Sequence, residues 1–288
     1  MKNPLVSIII PFYNAEETLE ELLISLLSQS YNDFEVILIN NNSTDLGKSI
    51  IFDVVGDDSR FTVLDYSEKP SSYASRNHGY EHSNGDFLLF TDADCCPDLN
   101  WVESVVSSIK INPRTVISGR VELDILSDNN IWEAFDKVAH MKNEEKASSS
   151  HVATANMAVT RQVFNNVGMF KDVVSGGDYE WSSRALQRGY PVKYDCNIIV
   201  HHPTRKSKTE IKKKLFRISY GQFELSKEEN KYFSTFLYTI RTANPLRVLI
   251  YSNKVRKITG FKRSLLFFVE YYLLCLQQSY VFFKGGKR

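Results

Sequence analysis

Between residues 5 and 125 the chain repeats one pattern, a short run of β-branched, aliphatic or aromatic residues followed by a longer stretch of helical periodicity. The runs are VSIII (6–10), FEVILI (34–39), FTVLDY (61–66), DFLLFT (86–91) and TVISGRVEL (115–123). Helices are expected between them at about 15–29, 44–55, 72–83 and 99–111. Strands alternating with helices predict βαβ units, because parallel neighbours need a crossover and that crossover is usually a helix. The joints carry matching punctuation: Asn14 is placed to cap the first helix, Asn84-Gly85 closes the third, and Pro113 follows the fourth. The expected fold is therefore doubly wound α/β. At 288 residues the chain can bury such a core and carry an appendage.

Sheets of this kind bind ligands in the crevice outside the carboxyl ends of their strands. That rule selects PFYN (11–14), NNNSTD (40–45) and DADCC (92–96) as functional candidates. No GxGxxG follows the first strand, which argues against a dinucleotide-dependent oxidoreductase. No P-loop, GxSxG elbow or HExxH is present either, which removes the commonest NTPase, esterase and zincin readings. The four cysteines, at 95, 96, 196 and 275, have no ligand-like spacing and read as reduced, cytoplasmic thiols. The opening MKNPLVSIIIPFYNAEE has too short an apolar run for a signal peptide.

Asp92 and Asp94 end a hydrophobic strand, where two carboxylates two residues apart reach one pocket. Hard oxygen ligands of this kind suit Mg²⁺ or Mn²⁺ bridging to phosphate. Asp178 lies in SGGDYEW at the start of a helix expected over 178–189. There it reads equally as a cap and as a general base facing the same crevice. His201 and His202 end a strand, VKYDCNIIV, whose alternation aims them at opposite faces, so at most one meets the site. Tyr13 reads as a stacking ring or a core residue, and Arg76 as a partner of diphosphate or of a surface carboxylate.

After Pro203 the composition shifts. The stretch 205–217, RKSKTEIKKKLFR, is dominated by Lys and Arg and belongs to a basic amphipathic helix expected over 205–230. Residues 264–283, SLLFFVEYYLLCLQQSYVFF, are almost wholly apolar. Glu270, Gln277 and Gln278 interrupt this segment, which suits the bilayer interface better than a span. Arg256, Lys257, Lys262, Arg263, Lys284, Lys287 and Arg288 flank it and favour anionic headgroups. A buried helical hairpin or dimer contact is the other reading. The basic stretch lacks interleaved aromatics, so no nucleic-acid partner is expected. Residues 1–203 are read as the catalytic domain and 204–288 as a helical extension.

VSIIIPFYNAEETLEELLISLLSQSYNDFEVILINNNSTD, ASRNHGYEHSNGDFLLFTDADC, TANMAVTRQVFNNVGMF and SGGDYEWSSRALQRGYPVKYDCNIIVHHP together resemble the family 2 glycosyltransferases of the GT-A fold. The resemblance covers about the first 203 residues. It implies a Rossmann-like, mostly parallel sheet flanked by helices, and inverting transfer of sugar from a nucleotide-diphosphate sugar, a UDP-sugar first, to a glycan or lipid-linked acceptor. Such an enzyme would build surface or extracellular polysaccharide from the cytoplasmic face of the membrane. The resemblance further implies that Pro11 to Asn14 line the base pocket, with Tyr13 stacking, and that Arg76 lies near the phosphates. Asp92 would contact the ribose side, Asp94 and His202 the divalent cation, and Asp178 would act as base. Two departures stand out: Asn40-Asn41 replace a pair of Asp residues, and Gly177 precedes Asp178 where the family usually has Glu. An Asn carbonyl there can still accept from the N3–H of uracil or thymine, but its amide also donates, which leaves the identity of the base open. Those departures keep open a catalytically silent nucleotide-binding scaffold; a sugar nucleotidyltransferase is a remoter alternative.

Overall fold

A computed structural model of the chain describes residues 5–127, 129–140, 142–228 and 240–283. Met1 to Pro4, the end of the expected basic helix at 229–230, and Lys284, Lys287 and Arg288 lie outside these residues. The described chain forms two compact units, one comprising residues 5–122, 142–172 and 177–202, the other the remainder.

The first unit is built on an eight-stranded sheet with strands β1 (Val6–Phe12), β2 (Phe34–Asn40), β3 (Phe61–Asp65), β4 (Phe87–Thr91), β5 (Cys96–Pro97), β6 (Val116–Asp124), β7 (Asn156–Thr160) and β8 (Val192–Pro203). Their order across the sheet is β3-β2-β1-β4-β7-β6-β8-β5. Every residue of β1 is buried, as befits a central strand covered on both faces. β1 pairs in parallel with β2 and β4, and β2 with β3. The expected mostly parallel order holds from β3 to β4 and is interrupted at β7. This five-residue strand enters between β4 and β6 and runs antiparallel to both, Leu88 opposite Val159 and Ile117 opposite Ala158.

Helices α1 (Leu19–Leu27), α2 (Gly47–Val55), α3 (Ser72–Glu81) and α4 (Trp101–Ile111) follow the first four long strands. In α1 the buried Leu19, Leu22, Leu23 and Leu26 form one apolar stripe. Helix α3 buries Tyr73, Ser75 and Arg76 beside Ala74 and Gly79. A face that polar is not made for an apolar core. Gly79 lets α3 approach the sheet, since a Cβ there would sit 2.6 Å from Ile39 Cδ1 and 2.7 Å from Ile9 Cγ2. The short helices α5 (Ile131–Ala139), α6 (Asn143–Ser148) and α7 (Arg161–Val167) precede α8 (Gly177–Gln187), which ends ahead of Gly189 at φ 79°. Helices α5 and α6 fall in a stretch to which the sequence pattern assigns no element.

The second unit is helical. It holds α5, α9 (Lys208–Glu228), α10 (Pro245–Thr259) and α11 (Phe261–Phe283). Trp132, Phe135, Ile211, Leu215, Val248, Val255, Phe267, Tyr271 and Leu274 form its core. Asp136 is fully buried there, with His140 Nδ1 at 2.6 Å, Arg205 at 3.0 Å and Lys214 at 3.4 Å. Among the described residues no helix is long and apolar enough to cross a membrane.

Candidate active site

The carboxyl ends of β1, β2 and β4 carry the three segments singled out from sequence. Asn14 does not cap α1, whose N-cap is Thr18 without a side-chain bond. With φ 47° it instead turns the loop after β1, and its Oδ1 accepts from Thr44 N at 2.8 Å while Ser43 Oγ accepts from Asn14 N at 3.0 Å. Asp45 Oδ2 accepts from Glu16 N at 2.8 Å. The first two loops are thus clasped together. Tyr13 on that loop is 64% exposed, so it is no part of the core. Pro11 is buried inside β1, opposite Ile39.

Asn40 and Asn41 have distinct tasks. Asn40 donates to Asp65 Oδ1 at 2.9 Å and accepts from Ser43 N at 2.9 Å. A carboxylate at position 40 would confront Asp65, its register partner on β3; the amide avoids that repulsion. The Lys48 hydrogen bond, then that of Asn40, holds the Asp65 carboxyl below the usual carboxylate range. Asn41 donates to Ser75 Oγ at 2.5 Å and to Lys69 O at 3.0 Å, tying its loop to the start of α3.

At the tip of β4 the ligand atoms of Asp92, Asp94 and Cys95 all lie within 4.8 Å of one another. Burial, then the charges of Asp92 and Asp94, pushes the Cys95 thiol up, and sulfur is a soft donor ill matched to a hard cation. The carboxylates that remain are hard oxygen donors, which fits Mg²⁺ or Mn²⁺. Asp92 is paired with Arg76. Arg76 is 2% exposed, donates to Ser72 O at 3.3 Å, and has a buried Nε–H with no acceptor among the described residues. A buried donor left unpaired is costly and suits a site awaiting an anion.

The two-residue β5 follows the acidic tip directly and pairs antiparallel with β8, Cys96 opposite His201. This pairing sorts the histidines as the alternation predicts. His202 is 3% exposed, with Nε2 3.4 Å from Asp94 Oδ2, while His201 Nε2 lies 3.1 Å from Asp98 Oδ1.

Asp178 sits in the first turn of α8. Its Oδ1 accepts from the Tyr73 hydroxyl at 3.0 Å and from Tyr179 N at 2.9 Å. Its Oδ2 has no hydrogen-bond partner among the described residues. Tyr73 lies in turn beneath the Arg76 guanidinium, 5.7 Å from its ring centroid. Gly177 makes room for that ring: a Cβ there would lie 2.9 Å from Tyr73 Cγ and Cδ2. A Glu at 177 would need the space Tyr73 fills. One unbroken run of contacts therefore joins His202, Asp94, the β4 tip, Asp92, Arg76, Tyr73 and Asp178. Sequence reasoning missed Tyr73, whose signal was its place three residues before Arg76 on one helix face.

A doubly wound sheet with acidic residues at a strand tip is the class of fold that takes nucleotides at its strand ends. The family model for glycosyl transferase family 2 matches residues 7–168. The chain is 35% identical over 226 residues to the glycosyltransferase AglE of Haloferax volcanii, covering 77% of this chain and 74% of that one. It is 30% identical over 135 residues to WfgD of Escherichia coli, a UDP-Glc:alpha-D-GlcNAc-diphosphoundecaprenol beta-1,3-glucosyltransferase, covering 47% of this chain and 52% of that one. The fold matches that of the mannosyltransferase PcManGT of Pyrobaculum calidifontis, solved with GDP-Man and Mn²⁺, at TM-score 0.68 and 15% identity over 100% of this chain and 89% of the other. The chain belongs to glycosyltransferase family 2, with a GT-A fold and added C-terminal helices.

Proposed function

We propose that this glycosyltransferase inverts configuration as it moves a sugar from a nucleotide-diphosphate sugar, a UDP-sugar first, to a hydroxyl of a glycan or lipid-linked acceptor. The observation that carries the reading is the run of contacts from His202 and Asp94 through Arg76 and Tyr73 to Asp178. It supports reading the acidic tip as a hard-cation pocket linked to an oriented carboxylate.

Asp94 and His202 would hold the cation, which when bound supplies positive charge to the diphosphate as it leaves. Asp92, balanced by Arg76, would meet the ribose side, and the buried Arg76 would add its charge near the phosphates. Tyr13, exposed on a loop clasped to the next, is free to stack on a base, with Pro11, Asn14 and Asn41 shaping that end. Asp178 would take the acceptor proton at Oδ2, because Oδ1 is occupied by two donors. A carboxylate so held loses little freedom when the acceptor arrives. We assign this chemistry to residues 1–203.

The extension at 204–288 we assign to the inner face of the membrane, in surface or extracellular polysaccharide synthesis. Helix α11 supports this by being apolar on two faces. Phe267, Tyr271 and Leu274 are buried in the core of their own unit, while Leu265, Val269, Leu273, Leu276 and Tyr280 are 42–59% exposed along the other side. A helix apolar all round is normally covered, and an exposed apolar stripe marks an interaction surface. Leu246, Leu249 and Ile250 of α10 are exposed as well, and both helices carry basic residues suited to anionic headgroups.

Titration with UDP and GDP, with and without Mn²⁺, tests the donor reading. Binding of one nucleotide that needs the metal and is lost in Asp94→Ala supports it; metal-indifferent binding in both proteins overturns it.

A further inference from the structure

We propose that the stacked rings of His151 and Tyr179 form an acceptor subsite for a pyranose ring; this rests on Asp178 acting as the base. Tyr179 follows Asp178 in the first turn of α8, and its own N–H holds Asp178 Oδ1 at 2.9 Å. Its phenol ring lies flat on the His151 imidazole, centroids 3.9 Å apart and planes 5° from parallel. The imidazole covers one face of the ring. Tyr179 is nevertheless 58% exposed, so its open area is the other face and the edges.

The backing ring is fixed. Ser183 Oγ lies 3.4 Å from His151 Nε2 and donates to Tyr179 O at 2.9 Å, bracing both members from the next turn of α8. His151 N donates to Lys146 O at 2.9 Å. Burial lowers the imidazole pKa, with the Asp178 charge opposing it, so the ring is neutral at neutral pH. That same interaction places His151 within electrostatic reach of the base.

A flat, uncharged, rigid platform beside a proton acceptor suits one ligand class well. The C–H face of a pyranose is apolar, and its hydroxyls project around the rim, away from the stacked face. A ring laid on Tyr179 keeps that apolar face out of water, and its rim hydroxyls lie one residue along α8 from Asp178, whose Oδ2 has no hydrogen-bond partner among the described residues. Tyr supplies such area at low entropic cost, with only two side-chain torsions to fix.

Saturation-transfer NMR with the methyl glycosides of glucose, galactose, mannose and N-acetylglucosamine, each with UDP or GDP and Mn²⁺ present, tests this. At least one glycoside is expected to bind through the C–H protons of one ring face. Tyr179→Ala should weaken it about tenfold and Tyr179→Trp should retain it. Binding of every glycoside unchanged in Tyr179→Ala, or no glycoside bound by the native protein, overturns the subsite. Nucleotide binding read in the same samples should be indifferent to residue 179, and its absence from the native protein would count against the donor reading instead.

Discussion

The Tyr73 hydroxyl donates to Asp178 Oδ1 at 3.0 Å across 105 positions of sequence, and its ring occupies the space above Gly177. Burial above all, then the Asp178 charge, pushes the Tyr73 pKa far above its ordinary value, so the phenol stays a neutral donor at every working pH. A hydrogen bond to a charged group is worth about 1.5–3 kcal/mol. Tyr73→Phe keeps the ring but loses the donor. Its kcat should fall by about tenfold or more while nucleotide affinity holds, as steady-state kinetics and titration would show; an unchanged kcat would mean the ring alone matters.

The buried cluster around Asp136 predicts a pH dependence of stability. Burial pushes His140 down to about 4, the Lys214 charge adds to this, and Asp136 opposes it. An unfolded His titrates near about 6.5, so between these values the unfolded chain binds a proton that the folded chain refuses. Stability should therefore drop as pH falls from about 6.5 to about 4, by an amount on the order of 1–3 kcal/mol. Burial alone would raise Asp136. The His140 hydrogen bond and the Lys214 and Arg205 charges outweigh it and hold that carboxyl far below the usual range. Its stabilising contribution is present above an unfolded pKa of about 3.9 and is lost only at lower pH, outside the His140 window. His140→Gln should flatten the limb above pH 4 in thermal melts taken across pH.

The exposed stripe of α11 predicts binding to anionic vesicles that weakens with salt. Leu265 and Leu273 are 59% and 51% exposed, so Leu265→Glu with Leu273→Glu should fold normally. Each apolar side chain removed from water is worth about 1.5–3 kcal/mol, and co-sedimentation should fall at least about tenfold. Unchanged partition would remove the membrane from the account.

Much of the fold was readable because its signal is local. The runs at 6–10, 34–39, 61–66 and 86–91 are β1 to β4 within a residue or two, and the acidic tip after β4 follows from the strand-end rule. The place of β7 was not readable: NMAVT is five residues, and its neighbours are chosen by pairing with Leu88 and Ile117, far away in sequence. Helix α5 was legible in principle, since IWEAFDKVA spaces Ile131, Trp132, Ala134, Phe135 and Val138 at helical intervals; in the fold Trp132, Ala134 and Phe135 lie on its buried face. Asn14 is no cap, since the group that meets its Oδ1, Thr44 N, lies on another loop. Tyr73 was missed for the same reason. A hydroxyl gains its meaning from the carboxylate it meets, and nothing near residue 73 announces Asp178.

The most direct measurement is transfer by Asp178→Asn under saturating donor and Mn²⁺. The substitution keeps shape while removing the proton acceptor, so kcat should fall by about 10²–10⁴-fold with donor affinity unchanged. A variant that transfers sugar at the native rate, or one that loses donor binding in step with turnover, would contradict the assignment of Asp178 as the base.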